Sequence, residues 1–357
     1  MPQISIIVTV YNIEKFLPRF FDSLKNQTFT DYQVLIFDDG STDDSLDVCK
    51  KFAEQDKRII VRQIDHVGIS AARNYSMRFI DTEYVVHADG DDYVEPNYLK
   101  HLIEAIKKYN ADLAISRVAY RSEESDHIDG VFPEYGEQFV TRKEFDKWLP
   151  RLFEDRRFNY LYGKIYKSEF FKQITVEPNV KQGSDTMINC GYIGKINNVV
   201  LIDDVDYNYI KYSSRSVTSY AGEGAFSRLL RINNFIYDSM KEQNLLTDDM
   251  KAVVYKRILL GAVWVTDKIK VSDVAFDDKA AQIDNILNCS DYLTAYGWIK
   301  DKGVKINFDA IQPISGKEFL KNYIKSEKKL ARKSKILANC PSFVKSFYRK
   351  IRGNNAE

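Results

Sequence analysis

The chain has 357 residues, 44% hydrophobic and 29% charged, which fits a globular protein of one large or two ordinary domains and excludes a disordered or collagen-like one. Lys plus Arg number 52 against 51 for Asp plus Glu, so no overall basic excess points to nucleic acid as a partner. The balance is uneven, because Lys321 to Arg352 holds eleven Lys or Arg against one acid, Glu327, leaving 41 basic and 50 acidic residues elsewhere. Cys49, Cys190, Cys289 and Cys340 lie far apart without a Cys-x-x-Cys pair, which suggests neither a disulfide framework nor a zinc knuckle and fits a reducing cytoplasm. The run Ile4 to Val10 is too short for a signal or spanning helix and no later apolar run reaches spanning length, so a soluble or membrane-surface protein is expected.

In chain order, Ile4 to Val10 is an apolar run of strand length, and Phe16, Leu17, Phe20, Phe21 and Leu24 follow at helical spacing. Val34 to Phe37 reads as a second strand, ending in Asp38-Asp39-Gly40-Ser41-Thr42-Asp43-Asp44 before a helix with Leu46, Cys49 and Phe52. Ile59 to Val61 predicts a third strand and Ala71 to Phe79 a helix. Tyr84 to Ala88 predicts a buried strand that runs into Asp89-Gly90-Asp91-Asp92, followed by a helix over Leu99 to Tyr109 and a strand over Leu113 to Val118. Such alternation implies a mainly parallel sheet flanked by helices, with ligands outside the carboxyl ends of the strands, where these polar motifs sit. Arg121 to Gln138 reads as a surface excursion, Phe145 to Tyr166 as a helix and a returning strand, 181 to 220 as a second polar cluster, and the chain beyond Gly224 as mostly helical. The domain expectation is 1–220 for the α/β domain, 221–320 for a helical region and 321–357 for a basic amphipathic tail.

Three carboxylates in Asp89-Gly90-Asp91-Asp92 repel one another unless a hard divalent cation offsets the charge. Capping of the next helix by Asp91 or Asp92 is the alternative. The acids of the Asp38 to Asp43 loop suit hydrogen bonds from a base or ribose, with a capping loop through Ser41 or Thr42 as the other reading. No Gly-x-Gly-x-x-Gly follows a strand and no Gly-x-x-x-x-Gly-Lys-Ser/Thr occurs, which argues against a dinucleotide dehydrogenase and a P-loop NTPase. A nucleotidylyltransferase needs a glycine-rich basic loop after the first strand, and Thr9-Val10-Tyr11-Asn12 offers none.

Four segments, Ile4 to Asn12, Asp38 to Asp43, Gly68-Ile69-Ser70-Ala71-Ala72-Arg73-Asn74 and Asp89 to Asp92, resemble in order and spacing the family 2 inverting glycosyltransferases of GT-A fold, common in bacterial polysaccharide assembly. The resemblance extends more loosely to about residue 220. It implies a GT-A, Rossmann-like fold and transfer of a sugar from a nucleotide-diphosphate donor, usually a UDP-sugar, to a hydroxyl of a saccharide or lipid-linked acceptor. Tyr11 and Asp39 would line the base pocket, Arg73 would steady the nucleotide or orient the acidic motif, Asp89 would contact ribose, and Asp91 would ligate Mn²⁺ or Mg²⁺.

Within Lys181-Gln182-Gly183-Ser184-Asp185, Asp185 would be the general base, although Ser184 stands where relatives often carry Glu, and an N-cap role for either residue competes. Tyr207 to Ser216 resembles a segment that crosses the nucleotide site, where Lys211 and Arg215 would neutralise the leaving diphosphate or be solvated loop charges. Tyr160 to Tyr166 is similar to an acceptor-side strand, with Gly163 where Asn is frequent. The histidines are assigned to no metal, and His87 reads as a core residue.

A catalytically silent glycan-binding or membrane-scaffolding protein is the alternative, favoured by Ser184 alone. The apolar residues from Ile336 to Ile351 recur at three and four spacing beside cations. That pattern fits a helix on an anionic membrane surface, at the cytoplasmic inner face of the cell membrane, or one docked on the protein or in a homo-oligomer interface.

Overall fold

The computed structural model describes residues 1–123, 127–180, 182–212, 224–306 and 311–338. The chain forms two compact units, Met1–Val254 and Tyr255–Glu357. The first opens with β1 (Ile4–Val10), α1 (Leu17–Lys25), β2 (Tyr32–Asp39), α2 (Ser45–Gln55), β3 (Ile59–Ile64), α3 (Ile69–Ser76) and β4 (Tyr84–His87). Each strand is a short run of β-branched and aromatic residues. Each helix carries an apolar stripe, as in α1, where Leu17, Phe20, Phe21 and Leu24 are buried at i, i+3, i+4 and i+7. Burying each of these side chains contributes about 1.5–3 kcal/mol. Strands β3, β2, β1 and β4 are parallel neighbours, with Val10 opposite Asp38 and Ile7 opposite His87, so Val10, Asp39 and His87 leave the sheet at one edge.

The chain continues through β5 (Tyr93–Val94), α4 (Tyr98–Lys108), β6 (Leu113–Ser122), β7 (Ile128–Val131), β8 (Gln138–Thr141), α5 (Phe145–Glu154), β9 (Lys164–Lys167), α6 (Ser168–Phe171), α7 (Ser184–Ile193), β10 (Asn198–Lys211) and α8 (Ala225–Glu242). The main path of the sheet is β3-β2-β1-β4-β9-β6-β10-β5, with β7 on β6 and β8 on β10. Strand β9 lies antiparallel between β4 and β6, while β10 runs parallel to β6. The expected parallel sheet is thus parallel through its first four strands and mixed beyond. The excursion after Arg121 contains β7, which folds back on β6, and Tyr207 to Lys211, the first part of the segment likened to one that crosses the nucleotide site, form the end of β10.

On one face of the sheet Ile4, Ile6, Val8, Val10, Val34, Ile36 and Val86 form a core with α1, α2 and α4. On the other, Phe37 packs against Tyr75 and Phe79, and His87 against Phe171; His87 is a core residue, but not the satisfied one expected, since its buried Nε2 has no hydrogen-bond partner among the described residues. Helix α9 (Asp248–Val271) begins in the first unit and continues into the second, which adds α10 (Phe276–Leu287), α11 (Ser290–Asp301) and α12 (Gly316–Ala338). Helices α10 and α12 meet so closely that a Cβ on Gly316 would stand 2.0 Å from the Ala280 carbonyl oxygen, and Asp284 accepts the Gly316 N–H at 2.7 Å. No helix of the described residues is long and apolar enough to cross a membrane.

Candidate active site

The loops leaving β1 and β2 are tied to each other. Asn12, at φ +53°, accepts the Thr42 N–H at 2.8 Å through its side-chain oxygen, while Ser41 Oγ accepts the Asn12 N–H at 3.1 Å. Ser41 therefore closes a loop-to-loop bond instead of capping α2. At the end of β2, Asp39 is buried and accepts the Val67 and Gly68 N–H groups at 2.8 and 3.0 Å. His66 Nδ1 stands 2.9 Å from the Asp39 carbonyl and 3.1 Å from its carboxylate, and its ring stacks on Tyr11 with centroids 4.2 Å apart. Gly40 is required here, since at φ +69° a Cβ would stand 2.9 Å from the His66 nitrogen. Tyr11 remains 44% exposed, so this stacked pair forms a solvent-facing aromatic surface beside Asp39.

After β4 the three acids of the Asp89 to Asp92 loop part company. Asp92 is 1% exposed, accepts the Ile210 N–H at 2.8 Å and takes the Tyr207 hydroxyl proton at 2.8 Å. The same hydroxyl accepts the Asp89 N–H at 3.0 Å, and the Asp91 carbonyl takes Arg19 and Tyr212 at 2.9 and 2.7 Å. Gly90 packs on the β1–α1 loop and the start of α1, where a Cβ would stand 2.8 Å from Ile13 Cδ1 and 3.1 Å from Leu17 Cδ2. Neither Asp91 nor Asp92 caps α4, whose N-cap is Asn97. Asp92 thus anchors the loop to β10. Asp89, whose side chain is 38% exposed, and the half-buried Asp91 remain accessible. Desolvation pushes the Asp89 carboxyl up to about 7, with Arg73 pulling it down and Asp91 and Asp185 pushing it up. Asp89 and Asp91 are thus the two carboxylates of this loop left accessible to a ligand.

Arg73 joins this loop to α7. Its buried guanidinium bonds Asp185 Oδ1 through Nη1, donates from Nη1 to Ser184 Oγ at 2.7 Å, and lies 3.9 Å from Asp89 Oδ1 through Nη2. Ser70 and Asn74 share that face of α3, at i−3 and i+1 from Arg73. Ser70 donates to the Val180 carbonyl at 2.5 Å, and Asn74 both donates to and accepts from Val176. One helical face therefore holds the strip of chain that ends in Asp185. The carboxylate is also held by the Leu161 N–H, 3.3 Å from Oδ2, and neither Ser184 nor Asp185 caps α7, which Gly183 precedes at φ +91°.

Among the remaining expected residues, Lys211 is exposed at the end of β10, one residue before Tyr212, whereas Arg215, Lys181 and the tail beyond Ala338 lie outside the described residues. Gly163 adopts φ +68° with Val118 Cγ2 2.7 Å from where a Cβ would lie, so an Asn here would require Val118 to shift. Sequence reasoning gave no individual role to Arg19, His66, Ser70, Asn74, Lys164 or Tyr207, although the last four lie in segments that the resemblance singled out. Only the i, i+3, i+4 spacing of Ser70, Arg73 and Asn74 offered a signal. Elsewhere, His101 Nδ1 stands 2.7 Å from Asp206 and 3.2 Å from Asp204, and these three side chains could hold a metal ion, although none is needed to explain an ion pair.

Residues 5–174 match the family model described as Glycosyl transferase family 2. Glycosyltransferase GlyA of Streptococcus pneumoniae serotype 4 is 34% identical over 194 residues, 52% of this chain and 27% of that protein. The uncharacterized glycosyltransferase EpsJ of Bacillus subtilis is 27% identical over 212 residues, 58% of this chain and 61% of that one. The chain thus spans less than two thirds of the length of either relative. Residues 1–349 of TarS from S. aureus, in complex with UDP, superpose with a TM-score of 0.61 at 19% identity, covering 82% of this chain and 80% of that one. The strand-end motifs, the mixed sheet and these matches agree on a GT-A fold, and residues 5–174, just under half of the chain, match glycosyl transferase family 2.

Proposed function

We propose that this protein is an inverting glycosyltransferase that moves a sugar from a UDP-linked donor to a hydroxyl of a saccharide or lipid-linked acceptor, in the synthesis of cell-surface polysaccharide or glycoconjugate. The observation that carries the reading is the Arg73 bridge, whose guanidinium meets the Asp185 carboxylate through both Nη atoms and lies 3.9 Å from the accessible Asp89. Donor-side and acceptor-side acids are thereby set at a fixed spacing. The UDP bound by the TarS neighbour supports a uridine donor.

In this reading Tyr11 and Asp39 line the base pocket, with His66 as its second ring, and Asp89 contacts ribose. Asp91 holds Mn²⁺ or Mg²⁺, which when bound supplies positive charge to the departing diphosphate. Lys211 and Arg215 contribute further positive charge at the same leaving group. Asp185 accepts the proton of the acceptor hydroxyl. Oδ2 is the atom for that task, because Oδ1 is taken by Arg73, whereas the contacts of Oδ2 to Leu161 N and Arg73 Nη2 are long, 3.3 and 3.5 Å. A single in-line displacement gives a β-linked product from an α-linked donor. Ser184 does not undo this arrangement, since its hydroxyl takes Arg73 Nη1 while Asp185 keeps its own contact. That removes the one feature favouring a catalytically silent scaffold.

Release of UDP from UDP-glucose, UDP-galactose and UDP-N-acetylglucosamine, each with Mn²⁺ or Mg²⁺, tests the proposal. Turnover with one donor above the others is expected. Failure to bind UDP or to turn over any of a full nucleotide-sugar panel would overturn it.

A further inference from the structure

Lys164 opens β9 with its side chain inside the protein, 1% exposed, and its ammonium donates to two backbone carbonyls, Tyr160 at 2.7 Å and Tyr162 at 3.2 Å. Between those carbonyls lies Leu161, whose N–H meets Asp185 Oδ2. The turn is held from the other side by Asn189 of α7, four residues after Asp185, whose Nδ2 reaches the Phe158 and Tyr160 carbonyls at 3.1 and 2.9 Å. Gly163 then reverses the chain at φ +68° and its carbonyl accepts the Ser116 N–H at 2.9 Å. A buried ammonium with carbonyl partners is a costly way to fix a turn, because an apolar side chain of that length would avoid the desolvation altogether.

We propose that Lys164 is a positioning residue for sugar transfer: by gripping the Tyr160 and Tyr162 carbonyls it presents the Leu161 N–H to Asp185 and fixes the orientation of that carboxylate toward the acceptor. This rests on Asp185 being the base. The charged groups around Lys164 are consistent with an electrostatic part in the same role. Desolvation pulls its ammonium down to about 7, Asp185 and Asp155 oppose that, and Arg157 adds to it. A Lys so depressed in the folded state costs stability below about pH 7, and the cost is relieved as pH rises toward the ordinary lysine value.

Lys164→Met keeps the length of the side chain and removes the charge and both bonds. With the donor selected from the panel of UDP-sugars, kcat is expected to fall by roughly 10- to 100-fold, as for a modest misplacement of a reacting group. The donor KM stays within about twofold, because nothing on the donor side is touched. At pH 6 the melting temperature stays at or above that of the wild type. Lys164→Gln, which can reach one carbonyl without charge, should give an intermediate kcat.

Wild-type kcat in Lys164→Met would overturn the proposal, as would a joint fall of kcat, donor affinity and melting temperature, or failure of both variants to fold. Asp185→Asn separates the two levels. Full turnover in Asp185→Asn removes the base assignment itself, whereas loss of turnover there with full turnover in Lys164→Met removes only the role of Lys164.

Discussion

Tyr207→Phe deletes one oxygen and leaves the ring stacked on Tyr162, where the centroids are 4.7 Å apart and the planes 7° from parallel. That oxygen donates to Asp92 and accepts the Asp89 N–H. Its removal leaves a buried acid with one fewer donor and a buried N–H short of its acceptor. Each loss costs about 1–3 kcal/mol when taken alone, and the Ile210 N–H remaining on Asp92 keeps the sum nearer about 2–3 kcal/mol. For a unit of this size that lowers the melting temperature by roughly 4–12 °C. The pH dependence has a definite sign. Burial pushes the Asp92 carboxyl well above its ordinary range, Asp91 and Asp89 push the same way, and the Ile210 N–H and Tyr207 hydroxyl pull it back. An acid raised in this way stabilises the fold at low pH and loses that contribution as pH climbs through the raised value. Without the hydroxyl the value rises further, so the deficit of Tyr207→Phe should widen from an acidic pH to one above the raised value. Scanning calorimetry at both pH values checks this, with a Mn²⁺ titration of UDP release to report on the Asp91 loop. Melting within 1 °C of wild type at both would refute the view that Tyr207 anchors the loop.

Asp91→Ala is expected to abolish divalent-dependent UDP release while melting within about 2 °C of wild type, because it relieves carboxylate repulsion without opening a core; unchanged turnover in excess EDTA would sink the metal assignment. Asp185→Asn should lower transfer by on the order of 10² to 10⁴ and keep UDP affinity within a few-fold, and calorimetry showing UDP binding lost would move Asp185 to the donor side. The basic stretch from Lys321 onward is proposed to meet an anionic, cytoplasmic membrane face, each cation contributing about 1 kcal/mol at best. The full chain should then float with anionic vesicles, release in high salt and lose flotation when truncated after Ile324, and equal flotation of the truncated chain would favour docking on protein or in a homo-oligomer.

What the sequence made legible is what depends on neighbours in the chain. The Ile4 to Val10 run, the stripe of α1 and the acids at the ends of β2 and β4 follow from local periodicity and from the way parallel strands deliver their carboxyl ends to one edge. Strand β10 was hidden because its pattern is broken by Asp203, Asp204 and Asp206, and because its pairing with β6 shifts register at that point. With β10 hidden, Tyr207 could not be seen as the anchor of residues 118 and 115 positions away. A helix beyond Gly224 is expected from the sequence, but not where α8 packs: its Ile232 stands 2.5 Å from where a Cβ on Gly183 would lie, which enforces the glycine two residues before Asp185.

Ser184 shows where a departure from a motif misleads. Read along the chain, replacing Glu by Ser removes a charge next to the base and invites a loss-of-function reading. In space the quantity that matters is how one guanidinium is shared. Arg73 already faces Asp185 and Asp89, and a third carboxylate at position 184 would compete for Nη1 while adding negative charge beside an Asp89 carboxyl that neighbouring acids already push up. A hydroxyl satisfies the same N–H at 2.7 Å without that charge. A serine at this position therefore leaves Arg73 shared between Asp89 and Asp185.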